Sequence, residues 1–552
     1  MAKVDKNIKK TKPSARLMEI IHLEHNDISI IMILTVGVGL LSIATPVAVQ
    51  ALVNIVTMGG LLQPLIVISL MLFVFLNLSG FLYVLENYVV ELIQRRLFVR
   101  MAIDAARKAQ SMQVSINDRN NSVELMNRFF EVSAVQKSLA SLLTVGLAAA
   151  LQGFIGNIIL MFYSLYFVVV VALIILVIIF IVAVIGRGAV STAIDESNAK
   201  YEVAAWLETI ARNLNAFKFS GGQNMAMQRI NLLSNNYLDK RIRHFRILLF
   251  QNIGGVLLYA SAGTAMLALG GFLVLNGQIN LGQFVAAELI IFGVLTSFLR
   301  FIGQLEYYYD LLAGFDKLGI LQDFPQERHG NHEIKLNRSA KLSLNNVSFE
   351  YSKRINPLKN VSFTLEAGEN LAIVGSSGSG KSTLADLITG LRPPTDGHIE
   401  LNDVDLRQLN LGDARQQIGL ANKYEIIEDT IFENVRLGRS DINIEKVTSV
   451  LDQLGLINVI GNFYNGLETT LTSTGAPLST IQTRLLILAR AIIAQPALLI
   501  VDGLLDGLDD QALGNACNIL FDSKNEWTLI ILTRSSDIAK KCNRIISLES
   551  AD

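Results

Sequence analysis

Residues 371–383 read LAIVGSSGSGKST, which is an apolar strand followed by a glycine-rich turn and the start of a helix. Gly375, Gly380, Lys381 and Ser382 in this stretch have the spacing of a P-loop. In a P-loop, backbone N–H groups and the helix N-terminus bind phosphates, the lysine reaches the terminal phosphates and the serine hydroxyl binds Mg²⁺. A chance glycine-serine loop is the alternative, but it rarely combines an apolar strand with a Lys-Ser pair. The stretch therefore predicts an α/β P-loop NTPase domain that binds a nucleotide and Mg²⁺.

A second strand completes the predicted metal site. The run ALLIVD at 497–502 ends in Asp502, which together with Ser382 is predicted to hold Mg²⁺, directly or through water. The alternative is an aspartate that caps a turn at the strand end. Within the loop, the predicted nucleotide-binding residues are Gly375, Ser376, Ser377, Gly378, Ser379, Gly380, Lys381, Ser382 and Thr383.

The composition of the rest of the chain is that of a membrane protein. Of its 552 residues 51% are hydrophobic and 17% are charged, and the apolar residues concentrate in the first three-fifths. The net charge of −1 argues neither for nor against nucleic acid, and we expect no nucleic-acid partner. Cys517 and Cys542 have no spacing typical of a zinc site or a disulfide framework. The basic start, residues 1–20, lacks the apolar core of a signal peptide and predicts a retained cytosolic arm.

Six segments are long enough to cross a bilayer, which takes about 20 apolar residues. The predicted spans are 28–56, 61–85, two within the uncharged stretch 138–186 that turns near MFYSLYF (161–167), 248–275 and 284–305. The last span contains Glu288. An intramembrane carboxylate is a functional candidate that faces a substrate path or another subunit. Extension of its side chain to the nearby membrane interface is the alternative.

Lysines and arginines set the predicted orientation. They flank the spans in residues 1–27, 86–137 and 187–247, whereas the linkers TMGGLLQP (57–64) and NGQINLGQ (276–283) carry no charge. Both termini are therefore predicted to be cytoplasmic. The two long charged segments are predicted to be helical hairpins that extend the spans into the cytosol, with simple connectors as the alternative. The predicted domains are a cytosolic arm at 1–27, a transmembrane domain at 28–323, a linker at 324–340 and a nucleotide-binding domain at 341–552.

Six spans in this order, followed by a P-loop domain, resemble a half-transporter of the ATP-binding-cassette (ABC) exporter family over essentially the whole chain. The resemblance implies a multi-pass protein of the bacterial inner membrane that works as a homodimer or a heterodimer with ATP between its nucleotide-binding domains. It also implies that Tyr351, in LNNVSFEYSKRINPLKNVSF (344–363), stacks on adenine, although an isolated tyrosine would more often pack within a strand. Ser479, the serine of the family's signature sequence, is implied to contact nucleotide held by the opposite subunit.

Parts of the membrane half look like the subgroup that exports proteins and peptides by type I secretion. That likeness implies a periplasmic adaptor as a further partner. The stretches that carry it are NSVELMNRFFEV (121–132), AKYEVAAWLETIARN (199–213), GQFVAAELI (282–290) and QLEYYYDLLAGFDKLGILQDFP (304–325).

Four positions depart from the family pattern. Gly503 stands where the family has a glutamate that acts as general base, and Arg534 stands where it has a histidine. The signature LSGGQ reads LSTIQ at 478–482, and a β-branched isoleucine cannot approach a phosphate as glycine does. The glutamine of the membrane-coupling loop falls at Asn422 or Lys423. Asp506 is three residues late for the general base, so we expect no substitution by it.

The resulting prediction is an ATP-binding subunit of an ABC-type exporter, of the translocase class, with impaired hydrolysis. The alternative is a non-hydrolytic assembly or regulatory subunit of a membrane secretion complex, in which ATP sets a conformation. Both are physically consistent, because a ligand shifts a conformational equilibrium by its differential affinity alone. The residues leave the transported substrate open.

Overall fold

The structure is a computed structural model that describes residues 11–57, 62–114, 126–219, 221–323, 325–327, 330–335, 338–351, 357–422 and 425–548. These residues fall into two compact units, one formed by 1–112 with 116–326 and the other by 113–115 with 327–552. Some predicted features lie outside the described residues: the first ten residues of the basic arm, the linker around Gly59, residues 121–125 and Lys423.

The first unit is built from α-helices. They are α1 (Pro13–Leu23), α2 (His25–Leu41), α3 (Ala44–Thr57), α4 (Leu62–Gln110), α5 (Glu131–Ser141), α6 (Leu147–Tyr163), α7 (Leu165–Phe180), α8 (Ala189–Arg212), α9 (Leu214–Lys218), α10 (Gly222–Leu275) and α11 (Leu281–Gln322). A short 3₁₀ turn, Arg128–Phe130, precedes α5, and π-helical turns at Leu142–Gly146 and Ile181–Ile185 follow α5 and α7.

The six predicted spans are confirmed. Among the described residues, six helical segments are long and apolar enough to cross a membrane: His25–Thr57, Leu62–Gln110, Arg128–Tyr163, Tyr166–Ile185, Gly222–Leu275 and Leu281–Gln322. The turn expected near 161–167 falls at Ser164, where an extended backbone (φ −162°, ψ 144°) separates α6 from α7. The chain is therefore a multi-pass membrane protein.

The first span is interrupted, which the sequence prediction missed. Helix α2 ends at Leu41 and α3 begins at Ala44. Pro46, in the first turn of α3, has no N–H to donate to the carbonyl of the preceding turn. The helix therefore restarts inside the span, which is two helical pieces instead of one.

Several helices continue well beyond the apolar segments. Helix α4 has 49 residues and α10 has 54, while α8, a separate helix of 24 residues, follows the fourth span after Gly188. The charged segments at 86–137 and 187–247 are thus helical over most of their described residues, as predicted. The tip of the first segment, residues 115–125, lies outside the described part of the chain.

Ion pairs anchor the N-terminal helices to the long ones. The buried carboxylate of Glu24 pairs with Arg96 at 3.4 Å and with Arg100 at 3.1 Å, and both arginines lie on α4. Arg16, on α1, pairs with Asp323 at 2.7 Å, directly after α11. A buried carboxylate is costly without such partners, so these pairs fix where α1 lies against α4 and α11.

The second unit is α/β. Its strands are β1 (Leu342–Phe349), β2 (Leu358–Leu365), β3 (Asn370–Val374), β4 (Asp396–Leu401), β5 (Val404–Asp405), β6 (Ile418–Ala421), β7 (Leu498–Asp502), β8 (Thr528–Thr533) and β9 (Arg544–Ser547). Its helices are α12 (Lys381–Ile388), α13 (Leu411–Gln416), α14 (Ile431–Arg436), α15 (Ile444–Gln453), α16 (Ile457–Gly461), α17 (Thr480–Ile492), α18 (Asp510–Leu520) and α19 (Ser536–Ala539).

The strands form two sheets. One is antiparallel with the order β2-β1-β4-β5, and the other is parallel with the order β6-β7-β8-β3-β9. All six residues of β8 are buried, as are the first four of β7. A parallel strand covered on both faces needs such a continuous apolar run, so the composition of these strands explains their central place. The predicted six-span helical domain followed by an α/β domain is confirmed.

Candidate nucleotide-binding site

The carboxyl ends of three neighbouring strands meet at one edge of the parallel sheet. Strand β8 lies between β3 and β7, with Val374 paired to Thr533 and Asp502 paired to Leu532. The chain leaves these strands into the P-loop after β3, into Gly503 after β7 and into Arg534 after β8. Ligands of open α/β sheets bind at this edge, so strand order alone brings the three segments together.

A cavity of about 560 Å³ opens at this edge. Of the predicted nucleotide-binding residues, those that line it are Tyr351, Ser377, Gly378, Gly380, Lys381, Ser382, Thr383 and Asp502. Gly503, Asp506 and Arg534 line it too, as does Asn422, one of the two candidates for the coupling position. Gly375, Ser376 and Ser379 form the inner turn of the loop, whereas Ser479 is not among the lining residues.

The P-loop has the conformation that phosphate binding requires. Gly380 has a φ of +86°, and a Cβ on it would lie 2.6 Å from the carbonyl oxygen of Pro357. Only glycine fits there. Helix α12 starts at the next residue, Lys381, so its N-terminal N–H groups point to the cavity.

Lys381 lies across the loop. Its ammonium donates to the carbonyl oxygens of Gly375 at 2.6 Å and Ser376 at 2.7 Å, and to the Ser379 hydroxyl at 3.3 Å. Partial burial lowers the pKa of Lys381 and the nearby positive charge of Arg534 acts in the same direction, while Asp502 and Asp506 oppose them. The positive charges of Lys381 and Arg534 thus lie close enough to interact, and both residues line the cavity.

Tyr351 lies at the rim of the cavity. Its hydroxyl is 3.0 Å from the Thr383 hydroxyl, and its ring meets the Phe349 ring edge-on with centroids 4.9 Å apart. The Arg392 guanidinium carbon lies 5.1 Å from the Tyr351 ring centroid. Tyr351 as a whole residue is 38% exposed. An aromatic ring fixed at this rim is suited to stacking on a nucleobase.

Gly503 presents no side chain to the cavity. Its N–H donates to the carbonyl oxygen of Leu532 at 2.8 Å, and its φ is +63°. A Cβ at this position would meet no neighbouring atom within 4 Å. The space for a side chain is therefore open, but the left-handed backbone disfavours any residue with a Cβ.

The Asp506 carboxylate makes hydrogen bonds to the turn that follows β8. Its carboxylate accepts the Thr533 hydroxyl on one oxygen and the Arg534 N–H at 3.0 Å on the other. The same carboxylate pairs with the Arg534 Nε at 3.6 Å. A carboxylate whose two oxygens both accept hydrogen bonds in this way holds the turn after β8.

The signature residues 478–482 build the start of α17. Ser479 is the N-cap: its hydroxyl accepts the Gln482 N–H at 3.4 Å, and the Gln482 side chain accepts the Ser479 N–H at 2.8 Å. This reciprocal capping box stabilises the helix start. Ile481 is partly buried against the core of the helical part of the unit, so it has a packing role that a glycine would not fill.

Arg484 lines the cavity, although the sequence reasoning did not single it out. Its Nη1 donates to the carbonyl oxygen of Leu504 at 3.4 Å, and its guanidinium lies against Gly507, where a Cβ would be only 1.6 Å from Nη1. The sequence feature that could have identified Arg484 is its place on α17, about one and a half turns after the N-cap Ser479. It follows the signature by only two residues.

Two carboxylates of the membrane unit have buried oxygens without a hydrogen-bond partner among the described residues. Glu288, in the second turn of α11, is half-buried, and its Oε1 has no hydrogen-bond partner among the described residues. Glu86 is only 1% exposed, and neither of its oxygens has a partner among the described residues. The sequence reasoning placed Glu86 just outside span two and missed that α2 and α4 bury it beside Thr35.

Together, six membrane-crossing helical segments and a P-loop unit with an antiparallel and a parallel sheet define an exporter-type half-transporter fold. The family models agree: residues 28–298 match the ABC transporter transmembrane region and residues 358–504 match ABC transporter. The chain belongs to the ABC transporters and has the organisation of an exporter half-transporter.

Individual relatives cover different shares of the chain. It is 29% identical over 353 residues to "Iron-sulfur clusters transporter ATM1, mitochondrial" of Saccharomyces cerevisiae, covering 61% of this chain and 50% of that protein. It is 26% identical over 493 residues to an ATP-dependent lipid A-core flippase of Photorhabdus laumondii, covering 86% and 82%. The chain thus spans about half the length of the ATM1 relatives it matches.

Among solved structures, a bacterial Atm1-family ABC exporter with ATP bound has a TM-score of 0.83. The match covers 96% of this chain and 95% of that one, at 19% sequence identity. At that identity the match establishes the fold and nothing about substrate.

Proposed function

We propose that this chain is an ATP-binding subunit of an ABC-type membrane exporter that binds Mg·ATP and hydrolyses it very slowly. One observation carries the proposal: the P-loop and Asp502 share a cavity with Gly503, which has no side chain at the position of the family's general base. Binding and hydrolysis depend on different residues, so the first survives loss of the second.

The loss of hydrolysis has further support. Removal of a general base costs about 10²- to 10⁴-fold in rate, or roughly 3 to 5 kcal/mol of barrier. Asp506 is no substitute, because its carboxylate is held by Thr533 and Arg534. Ile481, packed against the core, replaces a glycine of the signature. These changes act on the same transition state, so their effects reinforce one another.

The proposed assembly is a dimer. Ser479 lies outside the cavity that its own chain forms, which agrees with a role on nucleotide held by the opposite subunit. In a homodimer both nucleotide sites would lack the base. In a heterodimer the partner subunit would supply a general base at one of the two nucleotide sites. The signature sequence at that site would still be LSTIQ from this chain.

The proposed location is a bacterial inner membrane with both termini in the cytoplasm. The substrate class that we propose is a protein or peptide, with a periplasmic adaptor as a further partner, on the strength of the four membrane-half stretches that look like type I secretion exporters. The ATM1 and flippase relatives are named for iron-sulfur clusters and lipid A-core. We do not assign those substrates to this chain.

The test is to measure nucleotide binding and turnover on the same purified chain in lipid discs. We expect saturable Mg·ATP binding and a turnover at least 100-fold below that of an intact ABC half-transporter assayed beside it. Turnover within tenfold of the intact transporter would overturn the proposal.

Reconstitution with the candidate partner half-transporter then separates the two functions. Partner-dependent accumulation of substrate in vesicles supports an exporter subunit. ATP-dependent closure of the dimer without any accumulation favours the assembly or regulatory subunit instead.

A further inference from the structure

We propose that a basic groove of the membrane unit, lined by α1, α4 and the end of α11, binds an anionic phospholipid. The ligand combines a phosphate headgroup with acyl chains and belongs to the leaflet next to the N-terminal helices. The inference goes beyond the proposed function, because it requires neither a nucleotide nor a transported substrate.

The groove contains a cavity of about 930 Å³, and all of its lining residues belong to the membrane unit. Six lining residues are basic: Arg16, Arg95, Arg96, Arg100, Arg107 and Lys108. Three are acidic, Glu19, Asp104 and Asp323, so the formal charge of the lining is 6 − 3 = +3. A cleft with this balance of charge attracts an anion.

Ion pairs place one end of the groove at the membrane surface. Glu24 directly precedes the first membrane-crossing segment, His25–Thr57. Its carboxylate pairs with Arg96 and Arg100 on α4. The groove therefore begins where the first span leaves the bilayer. Basic side chains at this level reach the anionic headgroups of the adjoining leaflet.

Arg95 is the arginine at this end that has the most freedom to bind a ligand. It pairs with Glu91 at 2.9 Å, but its side chain is 70% exposed, so solvent weakens the pair. Arg96 and Arg100 instead hold the buried carboxylate of Glu24 and shape the groove. A guanidinium binds phosphate oxygens through parallel hydrogen bonds, which suits Arg95 to a lipid phosphate.

Exposed apolar side chains lie at the same end of the groove. Leu23, the last residue of α1, is 53% exposed, and Val99, one turn after Arg95 on α4, is 55% exposed. Both line the cavity. Acyl chains can cover these two side chains while the phosphate binds Arg95, whereas a free phosphate would leave them exposed. The combination therefore fits an anionic amphiphile.

The experiment titrates the purified full chain, freed of lipid in detergent, with phosphatidylglycerol or with phosphatidylcholine of the same acyl chains. Native mass spectrometry counts the bound lipid. We expect phosphatidylglycerol to bind at least about fivefold more tightly, which is the contribution of one basic residue at a membrane surface. Arg95→Gln should remove this preference, because only the anionic lipid uses its charge. Val99→Asn should weaken phosphatidylglycerol binding and keep the protein's unfolding temperature.

Two matched arginine variants separate a built site from general surface charge. Arg187 is exposed and follows the fourth span, Tyr166–Ile185, outside the groove. Arg107 lines the groove but lies roughly 18 Å farther along α4 than Arg95 by the rise of an α-helix. That separation exceeds the screening length of about 8 to 10 Å at physiological salt. Arg187→Gln and Arg107→Gln should therefore both keep the preference for phosphatidylglycerol.

Other occupants give different results, and each of them would overturn the inference. Equal affinity for the two lipids, or an equal loss in Arg187→Gln and Arg95→Gln, would mean that no specific site exists. Displacement of phosphatidylglycerol by an equal concentration of glycerol 3-phosphate would identify a site for soluble phosphate. A loss in Arg107→Gln as large as that in Arg95→Gln would indicate a soluble anion lying along the groove. All titrations omit nucleotide, so their outcome is independent of the proposed function.

Discussion

The backbone N–H of Arg534 donates to the carboxylate of Asp506 at 3.0 Å, across 28 residues of sequence. The other oxygen of this carboxylate accepts the Thr533 hydroxyl. Asp506, the first acidic residue after Gly503, therefore holds the turn after β8. The same bond fixes where Arg534 begins its approach to the cavity.

Replacing Asp506 tests whether it has any part in hydrolysis. We expect Asp506→Asn to leave the residual ATPase rate within twofold of the wild type, because the carboxylate is already satisfied by hydrogen bonds. The variant should be destabilised by about 1 kcal/mol, since an amide keeps one acceptor and loses the charge. ATPase assays and thermal unfolding on the same preparation measure both effects. A tenfold drop in rate would identify Asp506 as a surrogate base.

Restoring the carboxylate at position 503 alone should fail to restore hydrolysis. In Gly503→Glu we expect less than a tenfold gain in turnover at saturating Mg·ATP, far below the 10²- to 10⁴-fold that a general base contributes. The left-handed φ of +63° disfavours the new residue, and Ile481 and Arg534 still depart from the family pattern. Groups that act as a unit recover little when one is repaired.

The matched controls for this prediction are Gly503→Ala, which adds only the backbone strain, and a combined variant. The combined variant joins Gly503→Glu with Thr480→Gly, Ile481→Gly and Arg534→His. Glycines at 480 and 481 are poorer helix formers than the residues they replace by roughly 0.5 kcal/mol each, and Ile481→Gly also removes packing against the core, so its unfolding temperature must be measured too. Robust turnover from Gly503→Glu alone would mean that these other positions tolerate change, and slow hydrolysis would have a single cause.

Nucleotide binding should depend on Lys381. We expect Lys381→Ala to weaken Mg·ATP binding by at least tenfold, because an ammonium makes charge-assisted bonds to phosphate that a methyl group cannot. The variant also removes the bonds of Lys381 to Gly375 and Ser376 within the loop. Lys381→Arg keeps the positive charge but changes the geometry of the donor group. Its affinity for Mg·ATP should therefore lie between those of the wild type and Lys381→Ala. Equal affinity in all three proteins would make the P-loop a relic.

Cysteine labelling should establish the orientation in the membrane. A cysteine at Gln278, in the uncharged linker before α11, should react with an impermeant thiol reagent added outside intact cells, and one at Asn235 should not. Gln278 is preferred to Asn280, because the Asn280 side chain caps α11. The native thiols should stay silent, since Cys517 is buried and burial raises the pKa of Cys542 to about 11. Labelling at Asn235 alone would invert the topology.

The elements that follow from local sequence were predictable. Apolar length gave the six spans, and the uncharged stretch with Ser164 at its centre gave a hairpin, because a bilayer limits how long one helix can be. The P-loop was equally clear, since its glycines and Lys381 are set by a local phosphate-binding geometry. These features depend on residues close together in the chain.

Features that depend on distant contacts were missed. The burial of Glu86 depends on α2 and α4 packing together, and the bond from Arg534 to Asp506 depends on β7 and β8 being neighbours. The role of Arg484 in the cavity wall requires α17 to lie against the segment after β7. The charge pattern and the hydrophobic periodicity of one segment do not indicate which distant segment packs against it.

The left-handed backbone at Gly503 affects how such a chain evolves. A codon change that returned glutamate there would first cost about 1 kcal/mol of strain, and its catalytic benefit would wait for changes at 480, 481 and 534. Selection acts on single steps, and we expect none of these steps to restore hydrolysis by itself. Under the proposed function, a return to fast hydrolysis therefore requires several changes together, and we expect glycine to persist at 503 in descendants of this chain.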